Sequence, residues 1–236
     1  MRLNISWVVK GISVLNFSKN FMNYLEKILF LIVSSLFIGA CVNKHVNESK
    51  TGTVIILNGP SSVGKSSIVK AFQAKQTTPW LETGIDHLYV GVIPPMWLDD
   101  KPEHHTIMTI ETSEDKDGKM VTAVFGPEGR KVIKGMHRAI AAYAHVGNNL
   151  LVDYIKYEPE WLLDLQEALK GLNVIWVGVT APLEVITERE KKRGTSPAGH
   201  ARSHYQSVHQ NMPYDLMIDT SLLTPEQAAD KIMEFF

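Results

Sequence analysis

The chain has 236 residues, with 24 Lys+Arg against 25 Asp+Glu and a formal net charge of -1. A hydrophobic content of 44% and a charged content of 21% exclude a disordered chain, and the charge balance excludes a protein held to nucleic acid by bulk charge. The single Cys excludes an internal disulfide framework and any multi-cysteine zinc site.

The first fifty residues differ from the rest. From Ile28 to Val42 no residue is charged. As a helix this run rises about 23 Å, short of a hydrocarbon core of about 30 Å. It fits a signal-peptide h-region better than a spanning helix. Gly39 and Ala40 directly before Cys41 resemble a bacterial lipobox, whose cysteine becomes lipidated. Met22 offers an internal start with a compact region ahead of the run. Three readings stand: a lipoprotein signal, an uncleaved membrane anchor, or a misplaced start codon. The polar stretch 43–52 reads as a linker, giving an extension over 1–50 and a domain over 51–236.

Thr53-Val54-Ile55-Ile56-Leu57-Asn58 is the apolar run of a parallel strand buried on both faces. It leads into Gly59-Pro60-Ser61-Ser62-Val63-Gly64-Lys65-Ser66, which matches the phosphate-binding loop G-x-x-x-x-G-K-[ST]. The glycines permit turns that a side chain obstructs. The loop amides then face phosphate at a helix N-terminus. In this chemistry Lys65 reaches the β- and γ-phosphates and Ser66 ligates Mg²⁺. Residues 59–66 with Ser67 are therefore the candidate ATP-binding set. Ile68 and Phe72, four apart, begin the helix that follows.

Further along, Thr106–Thr112 and Lys119–Phe125 flank Asp117-Gly118 and read as a β-hairpin insertion. Glu114, Asp115 and Asp117 near its tip read as solvated charge. Val132, Met136, Ile140 and Ala144 repeat every four residues, as in a helix. Strands are expected at Asn149–Asp153, Val174–Val179 and Asp215–Asp219. Helices are expected from Pro159 to Leu169, closed by Gly171, and from Pro182 through Arg193. Thr224-Pro225-Glu226-Gln227 is a capping box for the last helix. Strands alternating with helices imply an α/β fold with a parallel sheet and ligands beyond the carboxyl ends of its strands.

With these segments in hand, residues 54–236 resemble the chloramphenicol phosphotransferase-like family. The resemblance rests on Ile55-Ile56-Leu57-Asn58-Gly59, Pro79-Trp80-Leu81, Gly84-Ile85-Asp86, Phe125-Gly126-Pro127-Glu128, Trp176-Val177-Gly178-Val179, Arg189-Glu190, Arg193-Gly194 and Tyr214-Asp215 to Asp219-Thr220. It implies a P-loop nucleotide-kinase-like three-layer fold with a five-stranded parallel sheet and a lid. It also implies transfer of the ATP γ-phosphate to an antibiotic hydroxyl.

Asp86 matches the family's catalytic aspartate; a carboxylate there can take the acceptor hydroxyl's proton. An Asp at such a place also serves simply as a helix N-cap. Asp153, at a strand end, is placed like an acid that touches Mg²⁺, or is only a polar strand terminus. The family's second acid is replaced here by Tyr154. Arg189 and Arg193 share a helix face and lead into Gly194–Gly199, a lid-like loop. Guanidinium groups there would neutralise the transferred phosphoryl group, or belong to a solvated charged helix. A further family arginine falls at Ser196, with Arg202 as a possible substitute. His200 and His204 have the spacing of a metal site but no evident third ligand. Trp80, Tyr89, Met96 and Trp97 read either as the lining of an apolar acceptor pocket or as core.

The expected activity is an ATP- and Mg²⁺-dependent O-phosphotransferase acting on a small hydroxyl compound, chloramphenicol first. The alternatives are a shikimate- or gluconate-type kinase and a membrane-tethered nucleotide-binding module without transfer. Membrane attachment, through residues 28–42 or a lipid on Cys41, competes with a cytoplasmic location that supplies ATP.

Overall fold

Val54-Ile55-Ile56-Leu57 can be buried only where helices cover both faces of a sheet. The computed structural model, which describes residues 50–99 and 101–235, places this run in that setting. In chain order the elements are β1 (Thr53–Asn58), α1 (Lys65–Ala74), β2 (Trp80–Gly84), α2 (Ile85–Leu88), β3 (Met108–Asp115), β4 (Gly118–Phe125) and α3 (Pro127–His145). They continue with β5 (Asn149–Tyr154), α4 (Pro159–Ala168), β6 (Asn173–Thr180), α5 (Leu183–Arg193), α6 (His200–His204), β7 (Leu216–Asp219) and α7 (Pro225–Glu234). All belong to one compact unit, Ser49–Phe236. The apolar run at 28–42, Met22 and Cys41 lie outside the described residues. Among the described residues no helix is long and apolar enough to cross a membrane.

The sheet is wholly parallel, in the order β2-β5-β1-β6-β7, so β1 is its centre. Strand side chains alternate between faces. Val54, Ile56, Leu150 and Val152 meet Ile133, Met136 and Ile140 of α3 and Trp161 and Leu165 of α4. Ile55, Leu57, Leu151, Val177 and Val179 meet Ile68 and Phe72 of α1, Ile186 of α5 and Ile232 of α7. The result is the expected helix–sheet–helix sandwich.

Local signals set most boundaries. Pro159 starts α4, and Pro182 is the residue capping α5. The Thr224 hydroxyl accepts the Gln227 N–H at 3.2 Å, and the Gln227 side chain accepts the Thr224 N–H at 2.9 Å, completing the capping box. Two expectations shift. The hairpin turns at 116–117 rather than at Asp117-Gly118, with Asp115 opposite Gly118. The Asp115 carboxylate accepts the Asp117 N–H at 2.8 Å, closing the turn one residue early. The last strand begins at Leu216, one residue late, because Asp215 bridges to β6 differently. Its carboxylate accepts the Trp176 N–H at 2.8 Å while its own N–H donates to the Trp176 carbonyl at 2.8 Å.

One polar network lies inside the α3–α4 face. His137 is fully buried; its Nδ1 lies 2.6 Å from Asp164 and its Nε2 lies 3.0 Å from the Tyr154 hydroxyl. Burial, ahead of the opposing pull of Asp164, holds the His137 pKa below its ordinary value. A neutral ring donating to Asp164 and accepting from Tyr154 satisfies every atom. Tyr154→Phe strands one buried ring nitrogen, so chemical denaturation should show a loss of about 1–3 kcal/mol; an unchanged unfolding free energy would mean the nitrogen is satisfied another way.

Candidate active site

The loop after β1 is tied down before it turns. The Asn58 amide donates to the Val208 carbonyl at 2.9 Å and to the Tyr214 hydroxyl at 2.6 Å, and its oxygen accepts the Lys156 N–H at 2.9 Å. The chain then wraps over residues 59–64 into α1. Gly64 caps that helix with φ of 108°, a conformation that favours glycine. Lys65, only 5% exposed, donates to the Gly59 and Pro60 carbonyls at 2.9 Å each and lies 3.4 Å from Asp153. Burial lowers its pKa, while Asp153 and Asp86 oppose that shift. The Ser66 hydroxyl donates to the other Asp153 oxygen at 2.8 Å.

Register brings the acids to this point. Asp153 pairs across from Leu57 on β1 and from Gly84 on β2. A Cβ at Gly84 would stand 2.1 Å from the Asp153 carbonyl oxygen, and its φ is 135°. Only glycine lets β2 end so tightly and turn into α2. Asp86 follows at the second position of that helix; the cap is Gly84, and no side chain caps it. The N-cap reading of Asp86 is thereby set aside. Asp86, Asp153, Lys65, Ser66, Arg189 and Arg193 all line one cleft of about 680 Å³.

The two arginines differ. Arg189 donates to the Val63 carbonyl at 3.2 Å, the Thr220 hydroxyl at 2.9 Å and the Thr220 carbonyl at 2.8 Å. It stitches α5 to the loop and to the end of β7. Arg193, one turn on, reaches the cleft, as does Ser196. The segment 194–199 is pinned at its far end. Glu190, 2% exposed, accepts the Gly199 N–H at 2.8 Å and the Ala201 N–H at 2.7 Å, starting α6.

α6 carries residues whose place the sequence pattern did not reveal. His204 Nε2 accepts the Ser61 N–H at 3.1 Å, inside the phosphate loop. His200 Nδ1 lies 3.2 Å from the Val121 carbonyl, and its Nε2 lies 3.0 Å from the Tyr157 hydroxyl. The two histidines, whose spacing alone matched a metal site, thus serve two separate attachments. Tyr157 lines the cleft, its pKa raised by burial and then by Asp86 and Asp153, so it stays a protonated phenol. No short sequence signal joins residue 204 to residue 61; only the folded chain does.

Several expectations are corrected. Of the two readings of the aromatic group, core packing holds for Trp80 and Tyr89, and none of the four lines the cleft. Trp80 packs edge-on against Phe72, with ring centres 5.0 Å apart, on the α1 side of the sheet. Tyr89 packs with Phe125 on the other side, its hydroxyl on the Ile107 carbonyl at 3.2 Å. Trp97 lies tilted against His104, with ring centres 4.6 Å apart, and Met96 is exposed. Arg202 does not stand in for the arginine replaced by Ser196. Its guanidinium bonds Asp115 and the Gly118 carbonyl and lies 3.9 Å from Asp117, so Asp115 and Asp117 at the hairpin tip are its partners rather than simply solvated. Tyr154 points into the core opposite Asp153 because adjacent strand residues face opposite ways.

Comparison with known proteins places this geometry. The family "Chloramphenicol phosphotransferase-like protein" matches residues 52–236. A protein of Mycobacterium tuberculosis named "Putative O-phosphotransferase", present in two strains, is 32% identical over 189 residues, covering 78% of this chain and 82% of the relative. A sugar kinase of Janibacter sp. superposes with a TM-score of 0.54 at 17% identity, covering 78% of this chain and 94% of that chain. The Mycobacterium tuberculosis APS kinase in complex with AMPPNP and APS gives 0.51 at 14% identity, covering 78% and 97%. The fold is that of P-loop kinases.

His204 links this site to pH. Burial first, then the charges of His200 and Lys65, holds its pKa down to about 3; the Tyr157 ring packs against it and stays neutral. An unfolded histidine titrates near 6.5, so the neutral ring's contribution to stability is present above about pH 6.5 and is lost as pH falls toward about 3. The unfolding free energy of the native chain minus that of His204→Gln should therefore shrink between about pH 7 and about pH 4. A difference that stays constant would show that the ring protonates freely in the fold.

Proposed function

The chain belongs to the chloramphenicol phosphotransferase-like family, and on that premise we propose that it moves the γ-phosphoryl group of ATP, with Mg²⁺, to a hydroxyl of a small molecule, a chloramphenicol-like compound being the first candidate. One observation carries the proposal: Lys65, Ser66, Asp153, Asp86 and Arg193 line a single cleft at the carboxyl ends of the strands.

The residues divide the work. The amides of 62–66 cradle the phosphates at the start of α1, with Ser67 also lining the cleft. Lys65 holds charge against the β- and γ-phosphates. The Ser66 hydroxyl and the Asp153 carboxylate, 2.8 Å apart, are oxygen donors of the kind Mg²⁺ takes when it keeps its waters and binds few side chains. Mg²⁺, when bound, supplies positive charge to the phosphate oxygens. Asp86 accepts the acceptor hydroxyl's proton as that oxygen bonds to the γ-phosphorus. The bond from phosphorus to the bridging oxygen breaks, and ADP leaves with the electron pair. Arg193 stabilises the charge spread over the group in transit. Arg189 keeps the loop and β7 in register for this. Anchoring through residues 28–42, or a lipid on Cys41, would bring this chemistry to a membrane surface.

Asp86→Asn should leave MgATP affinity within about twofold and lower acceptor-dependent turnover at least ~100-fold, the lower end of general-base effects. Turnover near the native rate would remove Asp86 from the mechanism.

The charge pattern bears on the acceptor. The lysines and arginines lining the cleft are Lys65, Lys70, Arg189 and Arg193, all on the loop, α1 or α5. The opposite wall, with Glu82, Ile85, Asp86, Ile155 and Tyr157, has no lysine or arginine among the described lining residues. Nearby, Lys156 is turned onto the Gln210 carbonyl, and Arg130 is forked onto Glu158. Carboxylate acceptors such as shikimate or gluconate want a fixed cation, so the pattern favours an uncharged alcohol. A coupled ATP-turnover assay should respond to chloramphenicol or another neutral alcohol and not to shikimate or gluconate. The reverse response would favour the metabolite-kinase reading.

A further inference from the structure

The peptide plane between Pro60 and Ser61 is held at both ends. Its carbonyl accepts the Lys65 ammonium at 2.9 Å, and its N–H donates to Nε2 of His204 at 3.1 Å. All the partners are shielded from water: Ser61 is 8% exposed, Lys65 5% and His204 3%. An accepting Nε2 places the ring proton on Nδ1, which faces the Ser203 hydroxyl at 3.3 Å; that tautomer follows from the bonding pattern. Hydrogen bonds in series polarise one another, so an imidazole on the N–H makes the carbonyl a better partner for the ammonium. The histidine and the lysine are thus joined through a single peptide.

The histidine is itself fixed. Glu190 holds the start of α6 through two backbone amides. The rings of His200 and Tyr157 pack against His204 with centres 4.9 and 5.0 Å away. The hairpin holds α6 through the Val121 N–H on the Gly199 carbonyl at 3.1 Å. Without an acceptor on Ser61, a buried N–H is left unpaired, at a cost that favours rotation of the peptide. Rotation turns the Pro60 carbonyl away from Lys65 and removes one of the two carbonyls that aim the ammonium.

We propose that His204 is a positioning residue for Lys65, acting through the Pro60–Ser61 peptide. The inference rests on the reading of this loop as the ATP site. It assigns a task in phosphoryl transfer to a helix that contributes no group to the reacting atoms.

The test compares two replacements in the full chain. His204→Phe keeps the ring volume and the stacking but cannot accept a hydrogen bond. His204→Gln carries an amide oxygen that can take the place of Nε2. MgATP affinity is read by titration calorimetry, with a cooperative thermal melt as proof of folding. The phenylalanine variant should bind at least about tenfold more weakly, and the glutamine variant should lie within about threefold of the native chain, the scale of one charge-assisted contact. If the phenylalanine variant does not melt cooperatively, His204→Leu replaces it in the comparison. Native-like MgATP binding by the non-accepting variant overturns the inference, and so does equal weakening in both, which would mean packing alone matters. Absence of MgATP binding by the native chain overturns the functional reading and takes this inference with it.

Discussion

An ammonium buried at the end of the central strand is the constraint around which the site is built. Removing Lys65 from water costs on the order of several kcal/mol unless its charge is met. Two loop carbonyls and the Asp153 carboxylate meet it. For the carbonyls to point inward, residues 59–64 must curl around the lysine; the Ser61 amide is then taken by His204, and the amides that follow it are left at a helix start. The same geometry that shelters the cation therefore makes an anion cradle. Asp153 can serve only because β5 lies beside β1 in a register that sets it next to Leu57.

The remaining elements meet at this point from three directions. β2 ends at Gly84, which passes close enough to the Asp153 backbone to deliver Asp86 to the cleft. α5 binds the loop through Arg189 and offers Arg193 beyond it. α6, fastened to α5 by Glu190 and to the hairpin by Arg202, reaches the loop through His204. The hairpin is thus no idle insertion: its tip acids and its carbonyls hold the helix that touches Ser61. Cations on one wall and acids on the other give the cleft a polarity suited to passing a negatively charged group to a proton-bearing oxygen.

What could be read from the sequence was local. The loop motif, the capping box and the proline starts each lie within a few residues, and their physics is short-range. β1 was legible because a four-residue apolar run has few homes. β2 was not, since Trp80-Leu81-Glu82-Thr83-Gly84 has no clean alternation and owes its strand to pairing with β5. Asp86 came forward through family resemblance, not through its own pattern. The aromatic grouping could not be resolved from sequence because Trp80 starts β2 on one face of the sheet, while Tyr89, at the end of α2, packs on the other. His204 was out of reach because its partner, Ser61, lies 143 positions earlier.

The central claim is that the sheltered lysine loop exists to hold the phosphates of ATP. Titration calorimetry of the native chain and Lys65→Ala with ATP, in the presence and absence of Mg²⁺, addresses it directly. The account predicts saturable, magnesium-enhanced binding to the native chain and a loss of at least about tenfold in the alanine variant, the scale of one charged contact to phosphate. Equal affinities for the two proteins, or none for the native chain, would contradict it.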